Sequence, residues 1–143
     1  MRTGRVLAVM AAGAGAGACL AACHKDVTGL TSNDVAGHYV AATFTTTQAG
    51  VTTNQLARGS LIDLTLVGDG GTTGRLFVPA PKPGTADVDA SLAGTWTLAA
   101  DTVTLTHAAV TFLRDMPLRA AGTRLEGDKT FSGVQIVVVL QKQ

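Results

Sequence analysis

The 143-residue chain has little that would favour disulfide bonding, nucleic-acid binding or a strongly charged surface. It contains two cysteines, and 4% of its residues are aromatic. Lys and Arg number 11 against 10 Asp and Glu, which gives a formal net charge of +1. A nearly neutral chain without a basic cluster lacks the electrostatic pattern of nucleic-acid-binding proteins. The composition therefore predicts a globular protein held by its apolar core, with no nucleic-acid partner.

The sequence also lacks the motifs that commonly carry catalysis. There is no Gly-x-Ser-x-Gly motif, and the glycine-rich stretch at 68–71 has no following Lys to complete a phosphate-binding loop. His24, His38 and His107 lie far apart, and none has a Cys or acidic partner at the spacing of a metal site. We therefore predict no enzymatic activity, no metal and no other cofactor.

The first twenty residues have the layout of a secretory signal. Arg2 and Arg5 give a basic start, and the stretch 6–20 carries no charge. A membrane-spanning helix needs about 20 apolar residues, whereas this run is shorter and contains several glycines. The pattern predicts a segment that is removed after export.

The stretch Leu20-Ala21-Ala22-Cys23 resembles the lipobox of bacterial lipoproteins, in which an aliphatic residue and two small residues precede a cysteine. In that family the thiol receives a diacylglyceryl group, the signal is cut before the cysteine, and the new amino terminus is acylated, typically with palmitate. The resemblance implies a signal peptide over 1–22, lipidation at Cys23 and attachment to a membrane through this N-terminal lipid. The alternatives are a plain signal peptide with an incidental cysteine and a buried N-terminal helix.

Lipidation at this position would change the mature protein. Loss of Arg2 and Arg5 leaves nine basic residues against ten acidic ones, a net charge of −1. Cys23 becomes the only cysteine, and because its sulfur carries the lipid no intramolecular disulfide can form. In the sorting pattern of that family an Asp after the cysteine retains the protein at the inner membrane. His24 stands there instead, so we expect a cell-envelope protein at the outer membrane, facing the periplasm.

Residues 23–33 are polar and predict a tether, with a short helical turn at its end where Ser32, Asn33 and Asp34 offer capping side chains. The rest, 34–143, predicts one β domain, because Thr and Val are frequent and turn residues recur at short intervals. The predicted hairpin turns lie at 68–71, 99–102 and 126–130, and the proline-rich stretch 79–87 predicts the longest loop. The strands are predicted near 37–47, 51–57, 60–67, 72–78, 89–98, 102–107, 110–119 (bent or bulged), 123–127 and 131–141.

Apolar and polar residues alternate along several of these strands. Ile62, Leu64 and Leu66 share one face, opposite Asp63 and Thr65, as in a sheet with one buried and one solvated face. Eight or nine short sequential strands without helices predict an all-β fold, either an antiparallel up-and-down β-barrel of about eight strands or a sandwich. Closure into a barrel would also remove exposed strand edges.

Two stretches, DVAGHYVAATF from Asp34 and GTWTLAADTVTLT from Gly94, resemble small bacterial lipocalin-like (calycin) proteins. In lipocalins a Gly-x-Trp opens the first strand after a short helical turn, and its ring closes one end of the barrel. Tyr39 takes that place here, and Trp96 matches a second Gly-x-Trp before a hairpin. The resemblance implies an up-and-down barrel over roughly 34–142.

An eight-stranded barrel has room for one small ligand, so we predict a non-enzymatic protein that binds a small apolar or amphipathic molecule inside the barrel. Simple filling of a solid core is the competing interpretation of the same inward-facing residues. The predicted lining consists of Tyr39, Ile62, Leu64, Leu66, Phe77, Trp96, Leu98, Val103, Leu105 and Ile136.

Two other functions are compatible with the sequence. A solid barrel would fit a cell-envelope protein that binds another protein, or inhibits a hydrolase, with the loop 79–87 as its presenting surface. A hydrolase or isomerase using a carboxylate and His107 is the third hypothesis. A continuous cavity of about 300 Å³ or more, open at one end, favours ligand binding over both.

Overall fold

The computed structural model describes residues 29–80 and 82–143. Its only helical pieces among these residues are a four-residue turn, α1 (Ser32–Val35), and a single 3-10 turn at Leu56–Arg58. The strands are β1 (Gly37–Gln48), β2 (Val51–Asn54), β3 (Leu61–Leu66), β4 (Gly71–Val78), β5 (Val88–Ser91), β6 (Gly94–Ala99), β7 (Thr102–His107), β8 (Leu118–Ala121), β9 (Arg124–Phe131) and β10 (Val134–Lys142).

Eight of these strands form a closed antiparallel barrel, which confirms the predicted barrel and excludes the sandwich. The order is β10-β9-β8-β7-β6-β4-β3-β1, and pairing of β1 with β10 closes the ring. The two remaining strands are additions: β2 pairs with the second half of β1, and β5 pairs with the second half of β4. The barrel therefore has one end where β1 and β4 begin and one end where they finish.

The barrel end at which β1 begins, called here the closed end, is sealed by side chains. Thr31 and Asp34 form a capping box that stabilises α1, and this places the buried Val35 over the barrel. The Tyr39 hydroxyl donates to the Val35 carbonyl over 2.5 Å, and the Trp96 indole N–H donates to the Val67 carbonyl over 2.8 Å. Both aromatic side chains are thus buried with their polar atoms bonded, as buried Tyr and Trp require. Burial raises the pKa of Tyr39.

The core fills the barrel from the closed end to beyond its middle. Alternate residues of β3, Ile62, Leu64 and Leu66, are at most 1% exposed, as their spacing predicted. The inner faces of the other barrel strands add Leu76, Val103, Leu105, Leu118, Leu125, Val138 and Leu140. Side chains packed in this way typically reach the density of a crystal of small organic molecules.

Two tight turns connect strand pairs at the opposite end. Ala49 and Gly50 join β1 to β2, and Ser132 and Gly133 join β9 to β10; all four residues have positive φ, as a type I′ hairpin turn demands. The prediction of a hairpin at 126–130 was therefore wrong, because β9 runs straight through that stretch. Gly127 serves packing there: a Cβ on it would overlap the side chains of Met116 and Leu118.

Residues 110–119 were predicted as a bent or bulged strand, and that prediction was wrong for 110–117. The whole segment 108–117 lies outside the strands. It makes turns in which Arg114 N donates to Thr111 O and Asp115 N to Phe112 O, and only 118–121 join the sheet as β8. The segment enters the barrel instead, burying Leu113 and Met116 to 1% exposure or less. We call residues 108–117 the inserted segment. It is one residue longer than the connection 79–87, which was predicted to be the longest loop.

The predicted strand 89–98 is interrupted at Leu92 and Ala93, which separate β5 from β6. Both pieces keep one register against β4, since Arg75 pairs with Ser91 and Thr72 with Gly94. Between them Leu92 N donates to Gly74 O, and the Thr72 hydroxyl donates to Leu92 O. The predicted strand 51–57 likewise ends early, at Asn54, before the 3-10 turn.

The predicted signal peptide 1–22, the lipidation site Cys23 and the first part of the predicted tether lie outside the described residues. Leu30 is already packed against the core. Within 29–80 and 82–143, no helix has the length and apolar character needed to cross a bilayer.

Candidate functional site

A pocket of about 530 Å³ opens at the barrel end opposite Tyr39 and Trp96. We call it the mouth pocket. It is formed where β1 and β4 finish, where β5 and β10 begin, and where the inserted segment leaves β7. Its lining residues are Phe44, Thr46, Gln48, Val51, Thr53, Gln55, Arg58, Leu76, Val78, Lys82, Val88, Val110, Thr111, Phe112, Val134 and Ile136.

Strand register builds one wall of the mouth pocket. Thr46 on β1 faces Ile136 on β10, and Gln48 faces Val134. On the other side of β1, Thr46 pairs with Thr53 of β2, so the wall continues without a break across three strands. This wall alternates apolar and hydroxyl or amide groups, which suits a ligand with some polar character.

The floor of the pocket is aromatic and apolar. The ring of Phe44 is buried, and the half-buried ring of Phe112 lies 5.3 Å from it, centroid to centroid, at a tilt of 33°. Leu76 of β4 completes the floor. Phe112 belongs to the inserted segment. The same segment therefore packs Leu113 and Met116 into the core and contributes Phe112 to the floor of the pocket.

The rim of the pocket exposes three valines from separate elements, which we call the rim valines. Val51 on β2 is 68% exposed, Val88 on β5 is 44% exposed and Val110 in the inserted segment is 82% exposed. Singly exposed apolar residues are ordinary, whereas a group around a concave site marks a contact surface. The rim valines therefore extend the apolar surface of the pocket to its opening.

Both charged groups among the described lining residues are cationic. Arg58, in the 3-10 turn, and Lys82, in the connection between β4 and β5, are exposed at its edge. Among the described lining residues there is no Asp or Glu. The two nearest carboxylates in sequence to Val88 have other partners: Asp87 accepts the N–H of Ala80, and Asp89 pairs with Arg75 at 2.8 Å.

One buried histidine lies next to the pocket and contacts one of its lining residues. His107 on β7 is 6% exposed, and its Nε2 lies 2.9 Å from the hydroxyl of Thr111, a lining residue. Burial lowers the pKa of His107, with a further lowering by the Arg114 guanidinium and an opposing effect of Asp115. Its Nδ1 is buried and has no hydrogen-bond partner among the described residues. This arrangement favours a neutral imidazole that holds the inserted segment in place.

The structure places most of the predicted lining residues below the mouth pocket. Ile136 lines it, and Leu98 is partly buried against the core. Phe77 is half-buried on the outer face of β4, where the Arg75 guanidinium lies 5.3 Å from its ring centroid. The remaining seven are buried in the core, with at most 4% exposure: Tyr39, Ile62, Leu64, Leu66, Trp96, Val103 and Leu105.

The lining residues that the sequence did not reveal are mostly in connections or on polar strand ends. Phe44, Thr46 and Gln48 do alternate along β1, and that pattern was available in the sequence. Phe112 and Val110 lay in a stretch with the composition of a strand. No sequence pattern indicated that Arg58 and Lys82 line one pocket, because only the folded barrel brings their separate connections to the same opening.

Other candidate chemical groups are accounted for by local pairing. His38 lies 3.1 Å from the Asp63 carboxylate on the neighbouring strand, and both are well exposed. Arg119 pairs with Asp101 at 3.1 Å. No group of three or more His, Cys, Asp or Glu able to hold a metal ion occurs in the part of the chain that the structure describes.

No protein-family model matches the chain, and the searches of curated proteins and of solved structures likewise gave no match.

Proposed function

We propose that this protein is a membrane-anchored bacterial lipoprotein whose barrel binds a small apolar or amphipathic molecule in the mouth pocket. The observation that carries the proposal is the pocket itself: about 530 Å³ with a floor of Phe44, Leu76 and Phe112. Ligand sites typically have 300–1,000 Å³ and a mainly apolar lining with a few polar groups. The proposed activity is binding, without catalysis.

The contrast within the barrel supports a binding role for this end. The same chain packs its lower barrel solidly, so it has enough large apolar side chains to fill a cavity. At the mouth it places Thr46, Thr53 and Gln48 on the inner face instead, and exposes the rim valines to solvent. Exposed apolar surface around a concave site is stabilised when a ligand covers it.

A neutral naphthylamine dye, whose emission rises in apolar surroundings, tests the proposal directly. We expect the unmodified barrel to bind it with a dissociation constant of about 1–10 μM, as a small apolar ligand in such a pocket would. Thr53→Trp would fill the pocket and weaken binding at least about tenfold. Val67→Trp, at an exposed valine near the closed end, is the matched control and is expected to leave binding unchanged.

Two results would overturn the binding proposal. One is absence of dye binding by the folded barrel. The other is equal weakening by Thr53→Trp and Val67→Trp, which would place the dye outside the mouth pocket. The unfolding transitions of both variants, followed by circular dichroism, establish that each is folded under the assay conditions.

The membrane anchor is a separate part of the proposal and rests on the residues Leu20 to Cys23. Two or more acyl chains anchor a protein stably. In a bacterial host we expect the full chain to partition with membranes and detergent, and Cys23→Ser to abolish that partitioning. Cys19→Ser, which removes the cysteine without a lipobox before it, is the control. Fractionation of inner and outer membranes tests the proposed outer-membrane location.

The rim valines also favour a second candidate function, an envelope protein-interaction module. They and the neighbouring connection 79–87 would form its contact surface. This candidate and the ligand-binding one differ in what occupies the pocket. A folded barrel that binds no small apolar probe, and whose rim valines are needed to retain a specific envelope protein, would favour the second.

A further inference from the structure

We infer that the mouth pocket prefers an amphiphile with an anionic head group, its apolar chain lying on the floor and its head at the rim. The inference deepens the proposed function and rests on it. The pocket has two chemically distinct levels, an apolar base and a rim that contains Arg58 and Lys82. A ligand that matches both levels has an apolar part and a negative group.

The floor determines where the apolar part lies. Phe44, Leu76 and Phe112 offer the ligand no hydrogen-bonding atom from their side chains. A charged head placed there would lose its hydration without a partner, which is strongly unfavourable. The head group therefore lies toward the opening, where water and polar side chains are available.

The rim determines the sign of the head group. Arg58 and Lys82 approach the opening from two different connections, one between β2 and β3 and one between β4 and β5. A cationic head would meet like charge from both sides, whereas an anionic head would meet opposite charge. Asp89 follows the rim valine Val88 in the sequence. The Arg75 side chain donates two hydrogen bonds to the Asp89 carboxylate, which hold it on the outer face of β5 and lower its pKa.

The electrostatic preference is local rather than a property of the whole chain. The full sequence has 11 Lys and Arg against 10 Asp and Glu, so a general attraction for anions is not expected. Because both rim cations are exposed, water and salt weaken their effect. The expected contribution is therefore a selectivity of about tenfold at low salt rather than an all-or-none requirement.

A series of probes with one identical chain and different heads tests the inference. Dodecanoate is anionic, dodecanol is neutral and dodecyltrimethylammonium is cationic. Displacement of the neutral naphthylamine dye, measured below the micelle concentration of each probe, gives their affinities. We expect dodecanoate to bind about tenfold more tightly than dodecyltrimethylammonium at low salt, and added salt to reduce the difference.

Charge variants identify the groups responsible. Lys82→Gln with Arg58→Gln is expected to weaken dodecanoate binding about fivefold to tenfold and to remove the preference for dodecanoate over dodecyltrimethylammonium. Arg124→Gln, an exposed cation next to the turn between β8 and β9 at the closed end, is the control and is expected to change neither. If the double variant does not fold, Lys82→Gln alone provides the comparison, with an effect of about threefold.

The two proposals can fail separately. If the dye binds in the mouth pocket but the anionic and cationic probes bind equally, the head-group inference is overturned and the binding function stands. If the dye does not bind to the folded barrel, the binding function and the head-group inference are both overturned. Loss of dodecanoate affinity in Arg124→Gln equal to that in the double variant would show a diffuse charge effect and would also overturn the inference.

Discussion

The two ends of the barrel each contain a pair of aromatic side chains, and the pairs do different things. At the closed end Tyr39 and Trp96 are buried, and each donates a hydrogen bond to a backbone carbonyl. At the open end Phe44 and Phe112 contact each other across 5.3 Å and leave a pocket above them. A polar atom on an aromatic ring fixes the ring to one backbone position. Rings without such an atom form an apolar floor.

A second difference concerns what lies over each pair. Above Tyr39 the Lys142 side chain donates to the backbone carbonyl of Asp34 over 3.0 Å and lies 6.0 Å from the tyrosine ring, so the last strand is tied to α1. Above Phe44 and Phe112 there is open volume edged by the rim valines. We therefore expect stability to be concentrated at the closed end and, under the proposed function, ligand contact at the open end.

The largest expected effect comes from removing an aromatic ring of the closed end. Trp96→Ala should lower the free energy of unfolding by about 3–5 kcal/mol, because it removes a large buried side chain and leaves a cavity. Urea unfolding followed by circular dichroism measures this. Trp96→Phe keeps most of the ring but loses the bond to Val67 O, and should cost about half as much or less. A loss below about 1 kcal/mol for Trp96→Ala would contradict the assignment of stability to this end.

A smaller effect is expected between the two ends, where Gly127 makes room for the inserted segment. Gly127→Ala should lower the free energy of unfolding by about 1–3 kcal/mol, because the new methyl group overlaps Met116. The same substitution in a Met116→Ala background should cost clearly less, since the nearer of the two overlapping side chains is gone and only Leu118 is left in the way. A double-mutant cycle measures the coupling. Strict additivity would show that Met116 does not occupy this position.

Between pH 8 and 5, the pH dependence of stability should originate at the open end. The pKa of His107 is lowered in the folded protein below its ordinary value of 6.5, so between these two values the unfolded chain binds more protons. Stability is therefore complete above about pH 6.5 and falls as the pH drops toward the lowered pKa. His107→Gln, which retains an amide to bond Thr111, should flatten this slope between pH 8 and 5. An unchanged slope would place the effect elsewhere.

The smallest effect on stability, but a clear one on binding, is expected at the rim. Val110 is 82% exposed, so Val110→Asp should change the free energy of unfolding by less than about 0.5 kcal/mol. It should weaken binding of the neutral dye about fivefold, because it places a charge at the apolar opening. Val67→Asp, at an exposed valine of the closed end, should affect neither quantity. Equal dye binding in both variants would remove the rim from the ligand site.

The barrel could be predicted from the sequence because the patterns that specify its strands and turns are local. Alternation along β3 or β7 depends on neighbouring residues in one strand, and the β3–β4 and β6–β7 connections carry ordinary turn residues. Gly127 misled the prediction, since a glycine beside Asp128 has the composition of a turn, whereas here it provides space for Met116. That role depends on a residue from another part of the chain.

The mouth pocket could not be predicted because it depends on register and on three connections. Thr46 faces Ile136 only because β1 and β10 pair as they do, and the inserted segment reaches Phe44 only by leaving the sheet. Sequence spacing identified inward-facing residues such as Leu64 and Val103. It did not show how far along the barrel axis the packed core extends. Of the predicted lining residues, Ile136 lies close enough to the open end to border the pocket.

The pairing of β7 with β8 has a consequence for how the ring of strands fluctuates. That ladder contains two residue pairs, Thr102–Arg119 and Val103–Leu118, whereas β1 and β10 share nine. β4 and β6 also share two pairs, but β5 continues their register with four more. Transient separation of strands is easiest where the fewest hydrogen bonds must break together. In native-state hydrogen exchange we therefore expect deuterium to enter first between β7 and β8, so that the ring opens at one place while its longer ladders stay intact.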